Sequence, residues 1–293
     1  MKRALVLSVV VSSLAVSALA QDVEEVVTIP SPGGDVVGTL VTPEGEPAPV
    51  ALLLHGFTGA RDELATDAVG EGVFARTAAR LASAGYASLR IDFRGSGESL
   101  ADLTFADTTF EGQVADGLAA LDFLKGLAEV DGEDIFIVGW SQGGLVATAV
   151  AGRSGTPDAV ALWNAVASPK ETFEGILGAE IIAAGKDAAP GDVVPATLPW
   201  GAEIELKGAF FDGIETFDAP AELSGYAGPL LVAQGTNDTT VLPVSADKLI
   251  AAHGGENELW LAEMDHVFNI FETDETLETM IGKTIEFFDA NGD

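Results

Sequence analysis

The 293-residue sequence contains no cysteine and is poor in histidine and in basic residues. Without cysteine, disulfides, thiolate metal sites and a cysteine nucleophile are all excluded. Fourteen Lys and Arg stand against 46 Asp and Glu, a formal net charge of −32. Such a surface repels nucleic acid and anionic membranes, so we expect neither as a partner and interpret the charge as a solvated acidic coat.

No long hydrophobic run follows the first twenty residues, and those twenty have a distinctive order. Lys2 and Arg3 precede a mostly apolar stretch over residues 4–15, which ends in the small residues of "SALA" (Ser17–Ala20). This order is typical of a secretory signal peptide, and the apolar stretch is shorter than the roughly 20 residues needed to span a membrane. We therefore predict that residues 1–20 are a signal peptide cleaved after Ala20. The mature chain is then expected in the periplasm or outside the cell, free of the membrane.

β-type and helical patterns alternate over most of the remaining chain, which is rich enough in hydrophobic residues (47%) to form a large core. "PVALLLHG" (Pro49–Gly56) and "DIFIVGW" (Asp134–Trp140) are continuous apolar runs, as expected for strands buried on both faces. Val73–Tyr86 and Gln113–Ala128 have helical spacing. The alternation predicts an α/β fold with a mostly parallel central sheet and helices on both faces.

The alternation is lost over residues 168–226, where Pro, Gly and aromatic residues are scattered. Irregular segments of this length in compact domains usually have a function. We predict a core domain formed by residues 21–167 and 227–293, with residues 168–226 inserted after the sixth strand as a cap or lid.

A candidate nucleophile lies in "GWSQGG" (Gly139–Gly144), between a predicted buried strand and a small-residue helix. A tight strand–turn–helix needs small neighbours, which three glycines supply, and it presents the serine hydroxyl at the sheet edge. We therefore predict that Ser141 occupies a nucleophile elbow.

A serine alcohol needs a neighbouring base, and the chain has only three histidines. His55 precedes the elbow and is expected to shape its own loop, while His253 closes a helix where a C-terminal cation is favourable. His266 follows the last predicted strand and is the candidate general acid and base.

The orienting carboxylate is expected between Ser141 and His266 in the chain. Asp238, in "GTNDTTV", follows a buried strand and is therefore placed at the same sheet edge. The other acids considered lie in the insertion, inside a predicted helix or directly beside His266: Asp212, Asp218, Asp247 and Asp265. We predict Asp238 for this role.

Backbone amides of Phe57, in the loop "HGFTG", and of Gln142 are the candidate oxyanion donors. Large aromatic residues are the candidate substrate-binding residues, although those in the insertion equally suit packing of the cap. They are Trp140, Trp163, Trp200, Phe210 and Phe211. This chemistry needs no metal and no organic cofactor.

Five motifs stand together in one order: "LLLHGFTG", "IDFRGSGES", "GWSQGG", "GTNDTTV" and "DHVF". In this set the chain resembles serine esterases of the α/β-hydrolase superfamily, and within it is most similar to the capped cinnamoyl and feruloyl esterases. Trp140 stands where those relatives commonly carry histidine. The resemblance implies an α/β-hydrolase fold, hydrolysis of a small-molecule carboxylic ester, and a structural role for Asp92 and Arg94.

The expected activity is therefore cleavage of feruloyl, cinnamoyl or short-acyl esters through a Ser-His-Asp triad. One alternative is a peptidase of the prolyl-oligopeptidase type, although about 25 residues before the core strands are too few for the propeller such enzymes usually carry. A haloalkane dehalogenase is disfavoured because its nucleophile is Asp rather than serine. The other alternative is a non-catalytic binding module on the same scaffold.

Overall fold

The computed structural model describes residues 22–292, and a large twisted sheet runs through the middle of this part of the chain. Its strands are β1 (Val23–Ile29), β2 (Val36–Thr42), β3 (Ala48–Leu54), β4 (Ala87–Ile91), β5 (Val130–Trp140), β6 (Ala159–Trp163), β9 (Leu230–Gly235) and β10 (Asn257–Ala262). Two more strands, β7 (Val193–Thr197) and β8 (Glu203–Lys207), form a separate antiparallel hairpin. The large sheet has the order β1-β2-β4-β3-β5-β6-β9-β10.

The sheet is parallel from β4 to β10, and β2 is antiparallel to both of its neighbours, β4 and β1. The inner strands β3, β4 and β6 are almost entirely buried, as the continuous apolar runs predicted. β1 lies at one edge and β10 at the other, and both leave several side chains exposed. A register shift between Pro49 and Val50 lets residues 132–134 of β5 bulge out, so this strand begins earlier than predicted.

Helices cover both faces of the sheet. They are α1 (Val73–Ser83), α2 (Phe110–Lys125), α3 (Gln142–Ser154), α4 (Pro169–Leu177), α5 (Ala179–Asp187), α6 (Gly208–Thr216), α7 (Ala219–Leu223), α8 (Val244–Ala252) and α9 (Glu275–Asp289), with a short 3-10 helix at Phe105–Asp107. α1 and α9 pack on one face, and α2, α3, α7 and α8 on the other. The predicted α/β-hydrolase architecture is confirmed.

Local signals set the helix ends. The Thr109 side chain accepts a hydrogen bond from the Gly112 amide, so α2 begins three residues before the predicted start at Gln113. The Asp218 side chain caps α7 in the same way, with Pro220 in the first turn. Gly85, with a φ of 91°, lies just beyond the end of α1 and terminates it.

The segment after β6 is more regular than the sequence predicted. It folds into α4, α5, the β7–β8 hairpin and α6, which lie over the carboxyl ends of the core strands. α7 packs instead on α3 of the core, where a Cβ on Gly152 would lie 1.9 Å from the Glu222 carbonyl oxygen. The predicted cap of residues 168–226 therefore includes, at its C-terminal end, one helix that packs with the core.

The predicted signal peptide at residues 1–20 lies outside the described residues. Between residues 22 and 292, no helix combines the length and the apolar character required to cross a bilayer.

Candidate active site

Ser141 lies in a sharp turn between β5 and α3. Its φ of 55° falls in the left-handed region, which non-glycine residues seldom adopt. The turn brings backbones together so closely that a Cβ on Gly143 would lie 1.9 Å from the Leu54 carbonyl oxygen. A Cβ on Gly139 would lie 2.5 Å from the Gly143 carbonyl oxygen, and one on Gly144 would lie 2.4 Å from Ala165 Cβ. At these three positions neighbouring atoms therefore lie too close for any side chain, and only glycine fits.

Three of the predicted side chains meet at the carboxyl ends of β5, β9 and β10. Nδ1 of His266 lies 2.8 Å from Oδ2 of Asp238, and Nε2 lies 3.0 Å from Oγ of Ser141. With Nδ1 donating its proton to the carboxylate, Nε2 is left as the acceptor that faces the serine hydroxyl. This arrangement can remove the proton from the hydroxyl of Ser141.

The Asp238 carboxylate is fully engaged and its side chain is completely buried. Besides His266, it accepts hydrogen bonds at Oδ1 from the backbone amides of Thr240 at 2.8 Å and Val241 at 2.9 Å. These bonds fix the carboxylate from the side opposite the imidazole, so Oδ2 points at His266.

Asn164 is a site residue that sequence analysis missed. It is fully buried just after β6, and its Nδ2 donates to the carbonyl oxygens of Asp265 and His266 at 3.1 and 3.0 Å. Its Oδ1 accepts from the Gly235 amide at 2.8 Å. Trp140 adds a second donor to the His266 carbonyl, through Nε1 at 3.2 Å. The histidine loop is therefore held from two neighbouring strands. The only sequence signal was an amide residue directly after a buried strand.

The other two histidines are occupied elsewhere. His55 donates from Nδ1 to the Gly56 carbonyl at 2.8 Å and accepts at Nε2 from the Phe93 amide at 3.1 Å. Burial lowers the pKa of His55, in agreement with this neutral form. His253 follows the last residue of α8, shortly before β10 begins, and its ring contacts Asn257. Neither ring faces Ser141.

A cavity of about 660 Å³ opens above Ser141 and His266. The core contributes Phe57, Trp140 and Phe271 to its lining, and the cap contributes Ile176 and Trp200. Trp200 is 59% exposed and Phe271 71% exposed, whereas Trp140 is buried. Two of the predicted substrate-binding residues, Trp140 and Trp200, therefore line the cavity.

The other three predicted substrate-binding residues do not line it. Trp163 is fully buried on the face of the sheet covered by α1 and α9, where its Nε1 donates to Oγ1 of Thr284 at 3.1 Å. Phe210 packs against Phe57 and Phe110, with ring centroids 5.6 and 5.1 Å apart. Phe211 is buried so tightly on α5 that a Cβ on Gly185 would lie 2.1 Å from its ring. For Phe210 and Phe211 the alternative of cap packing is the correct one.

The two candidate oxyanion residues flank the serine. Gln142 is the first residue of α3, where amide groups have no acceptor within the helix. Its side chain points away from the cavity and donates from Nε2 to Oε1 of Gln113. Phe57 lines the cavity and lies in the loop after β3. The Gln142 side chain is thus engaged inside the protein.

Glu63 is a second residue that sequence analysis missed. The residue as a whole is half-buried, but its carboxyl group faces inward and accepts a hydrogen bond from the Gly56 amide. Burial raises the pKa of Glu63 to about 8, although hydrogen bonds from the Gly56 and Leu64 amides oppose that rise. Nothing in "GFTGARDE" distinguished this glutamate from its exposed acidic neighbours.

Within residues 22–292, no group of three or more His, Asp and Glu side chains is arranged to bind a metal ion.

The sequence profile of the alpha/beta hydrolase family matches residues 51–279, most of the chain. The chain belongs to this family. No curated protein sequence matches it, but solved structures do. Est1E from Butyrivibrio proteoclasticus, solved with ferulic acid bound, has a TM-score of 0.70 and 22% identity, covering 90% of this chain and 98% of that one.

Two further solved structures are similar. The dienelactone hydrolase from Anabaena variabilis has a TM-score of 0.65 and 18% identity, covering 93% of this chain and 100% of that one. The esterase domain of a Rhodothermus marinus protein has a TM-score of 0.62 and 22% identity, covering 90% and 99%. At these identities the likeness shows a shared fold.

Proposed function

We propose that the protein is a serine esterase that cleaves carboxylic esters through an acyl-enzyme. Ser141 is the nucleophile, His266 the general base and acid, and Asp238 the orienting carboxylate. The observation that carries this proposal is the unbroken hydrogen-bonded line from Asp238 through His266 to Ser141, which ends at a cavity. Membership of the alpha/beta hydrolase family supports the same class of chemistry.

In the acylation step, Oγ of Ser141 attacks the ester carbonyl carbon while Nε2 of His266 takes its proton. The imidazolium that forms is stabilised by Asp238, which stays ionised. The negative charge on the carbonyl oxygen is received by the amides of Phe57 and Gln142. His266 then protonates the leaving alcohol as the bond between the carbonyl carbon and the alcohol oxygen breaks.

Deacylation repeats these steps with water in place of serine. His266 takes a proton from the water, which attacks the acyl carbon, and then returns the proton to Oγ of Ser141. The products are a carboxylic acid and an alcohol, and no other co-reactant is consumed.

The cavity favours a small-molecule ester with an apolar or aromatic acyl group. Trp140, Trp200, Phe271 and Ile176 give it an apolar lining beside the serine. The ferulic acid bound to Est1E supports hydroxycinnamoyl esters as one candidate class, and short-acyl esters are the other.

A substrate panel tests this proposal. Initial rates with short-acyl, long-acyl and hydroxycinnamoyl esters are compared with rates on aminoacyl anilides, and a fluorophosphonate probe reports an activated serine. We expect ester cleavage and labelling of the wild type but not of Ser141→Ala. Cleavage of anilides in preference to esters would indicate a peptidase. Absence of both labelling and turnover would indicate a binding module.

We also propose that the mature enzyme is exported and begins at Gln21, because residues 1–20 have the order of a signal peptide. Intact-mass measurement of the protein secreted by a bacterial host checks this. A mass that retains residues 1–20 would contradict it.

A further inference from the structure

Glu63 follows the loop "HGFTG" by only a few residues and turns back on it. Its φ of 60° lies in the left-handed region, and its amide donates to the Ala60 carbonyl at 2.9 Å. A left-handed glutamate is uncommon and persists only where its surroundings fix it.

The carboxyl group of Glu63 lies inside the curve formed by residues 56–59. Oε1 accepts a hydrogen bond from the Gly56 amide. A Cβ on Gly59 would lie 2.6 and 2.7 Å from the two carboxyl oxygens, so no larger residue fits there without displacing Glu63. The carboxyl group therefore touches both ends of the segment that contains Phe57.

The Gly56 peptide is also held from its other side. Its carbonyl accepts hydrogen bonds from Nδ1 of His55 at 2.8 Å and from the Gly59 amide at 3.2 Å. A Cβ on Gly56 would lie 3.5 Å from both Oε1 of Glu63 and Cβ of Ser141. Glu63 and the nucleophile thus face the same glycine.

We propose that Glu63 is a positioning residue, whose carboxyl group fixes residues 56–59 and with them the Phe57 amide that receives the oxyanion. This inference rests on the function proposed above, because it assigns Glu63 to the same reaction. Glu63 lines the cavity, but the role assigned to it here is exerted through the loop backbone.

The charge of Glu63 gives the arrangement a pH dependence. With its pKa raised to about 8, the carboxyl group is neutral at pH 7 and becomes ionised above pH 8. The titratable groups that share its cavity are His266 and Asp265, while Arg61 and Asp62 on its own segment are engaged in ion pairs. A carboxylate beside Gly56 opposes the negative charge that forms at the Phe57 amide, so turnover should fall as Glu63 ionises.

Hydrogen–deuterium exchange tests the positioning role without depending on activity. Backbone exchange in residues 55–60 is measured for the wild type, Glu63→Ala and Glu63→Gln, with Asp67→Asn as the control because Asp67 is an exposed acid on the same segment. We expect Glu63→Ala to exchange at least about tenfold faster there, and Asp67→Asn to match the wild type. Unchanged exchange in a folded Glu63→Ala would overturn the proposal.

The second test is the pH dependence of kcat/KM on a short-acyl ester. It can be carried out with Glu63→Gln even if Glu63→Ala does not fold. The wild type and Asp67→Asn should lose activity above about pH 8, and Glu63→Gln should lack this decline whatever its absolute rate. Glu63→Ala should lower kcat by about 10- to 100-fold with little change in KM. A decline that persists in Glu63→Gln contradicts the proposal. An inactive wild type would refute the esterase function alone, and the exchange data would still decide the role of Glu63.

Discussion

The two walls of the cavity are built by different interactions. The sheet-edge wall carries His266 and Asp238, whose polar atoms are joined by directional hydrogen bonds to each other and to backbone amides. The cap wall depends on ring packing, with Phe173 and Phe210 of the cap lying 5.2 and 5.6 Å from Phe57 of the core. Of the two cap residues that line the cavity, Trp200 is mostly exposed and Ile176 is half-buried.

Under the proposed function, this difference gives the two walls different roles: the sheet-edge wall carries out the reaction, and the cap wall selects the substrate. Hydrogen bonds tolerate little displacement, so the sheet-edge wall holds Asp238, His266 and Ser141 at fixed distances. Aromatic packing is less directional, and a change of cap residue alters cavity shape without moving His266. Substitutions in the first wall should therefore act on kcat, and those in the second on KM or stability.

Ser141→Ala should produce the largest effect, a fall in kcat on the order of 10⁴- to 10⁶-fold, because the attacking oxygen is removed. Ester turnover under saturating substrate checks it, with circular dichroism to confirm the fold. Near-normal turnover by the variant would remove the assignment of Ser141.

Asp238→Asn should lower kcat on the order of 10⁴-fold. The amide keeps the shape of the side chain but no longer holds the His266 tautomer or stabilises the imidazolium. Turnover is compared with that of Asp247→Asn, a carboxyl in the first turn of α8. Equal activities of the two variants would argue that the carboxylate at 238 has no part in the reaction.

Asn164→Ala should lower kcat by about 10- to 100-fold and also reduce Tm. Removing the amide leaves the Gly235 amide without its acceptor and takes one donor from the carbonyls of Asp265 and His266, each a loss of about 1–3 kcal/mol where the group stays unpaired. The kinetics are compared with those of Asn257→Ala, whose side chain contacts His253 rather than the histidine loop, and thermal melts of both variants report stability. If kcat does not change, Asn164 does not hold the histidine loop.

The smallest effects on turnover are expected from the cap, where two variants form a matched pair. Phe210→Ala removes a fully buried ring and should lower the free energy of unfolding by about 3–5 kcal/mol. Its effect on kcat should stay small because Phe173 still packs on Phe57. Trp200→Ala removes a mostly exposed ring at the cavity mouth and should raise KM several-fold while leaving Tm nearly unchanged. Denaturant melts and ester kinetics on both variants separate these outcomes. A large loss of kcat in Trp200→Ala would contradict the expectation that substitutions in the cap wall act on KM or stability.

The fold was predictable because each core strand is a short apolar run and each strand end carries a turn signal. Ser141 and Asp238 each follow such a run, His266 follows the partly exposed strand β10, and the three lie together because parallel strands end at one edge. The position of Trp163 was not predictable, because a strand apolar on both faces gives no period that assigns a side chain to one side.

Asn164 and Glu63 show another limit of sequence reasoning. Their importance comes from contacts with backbone groups of other segments, including Gly235 and His266 for the asparagine. Such contacts exist only after the chain has folded. The regular helices of the cap were missed because Pro and Gly stand at their ends, as at Pro169 and Gly178, and were interpreted as irregular structure.

Phe57 belongs to both walls at once. Its main chain runs through the loop beside Ser141, while its ring packs against Phe173 and Phe210 of the cap. Any rearrangement overhead large enough to release that ring also loosens the peptide unit on which the reaction is proposed to depend. The position of the cap and the position of the Phe57 peptide are thereby coupled through one side chain.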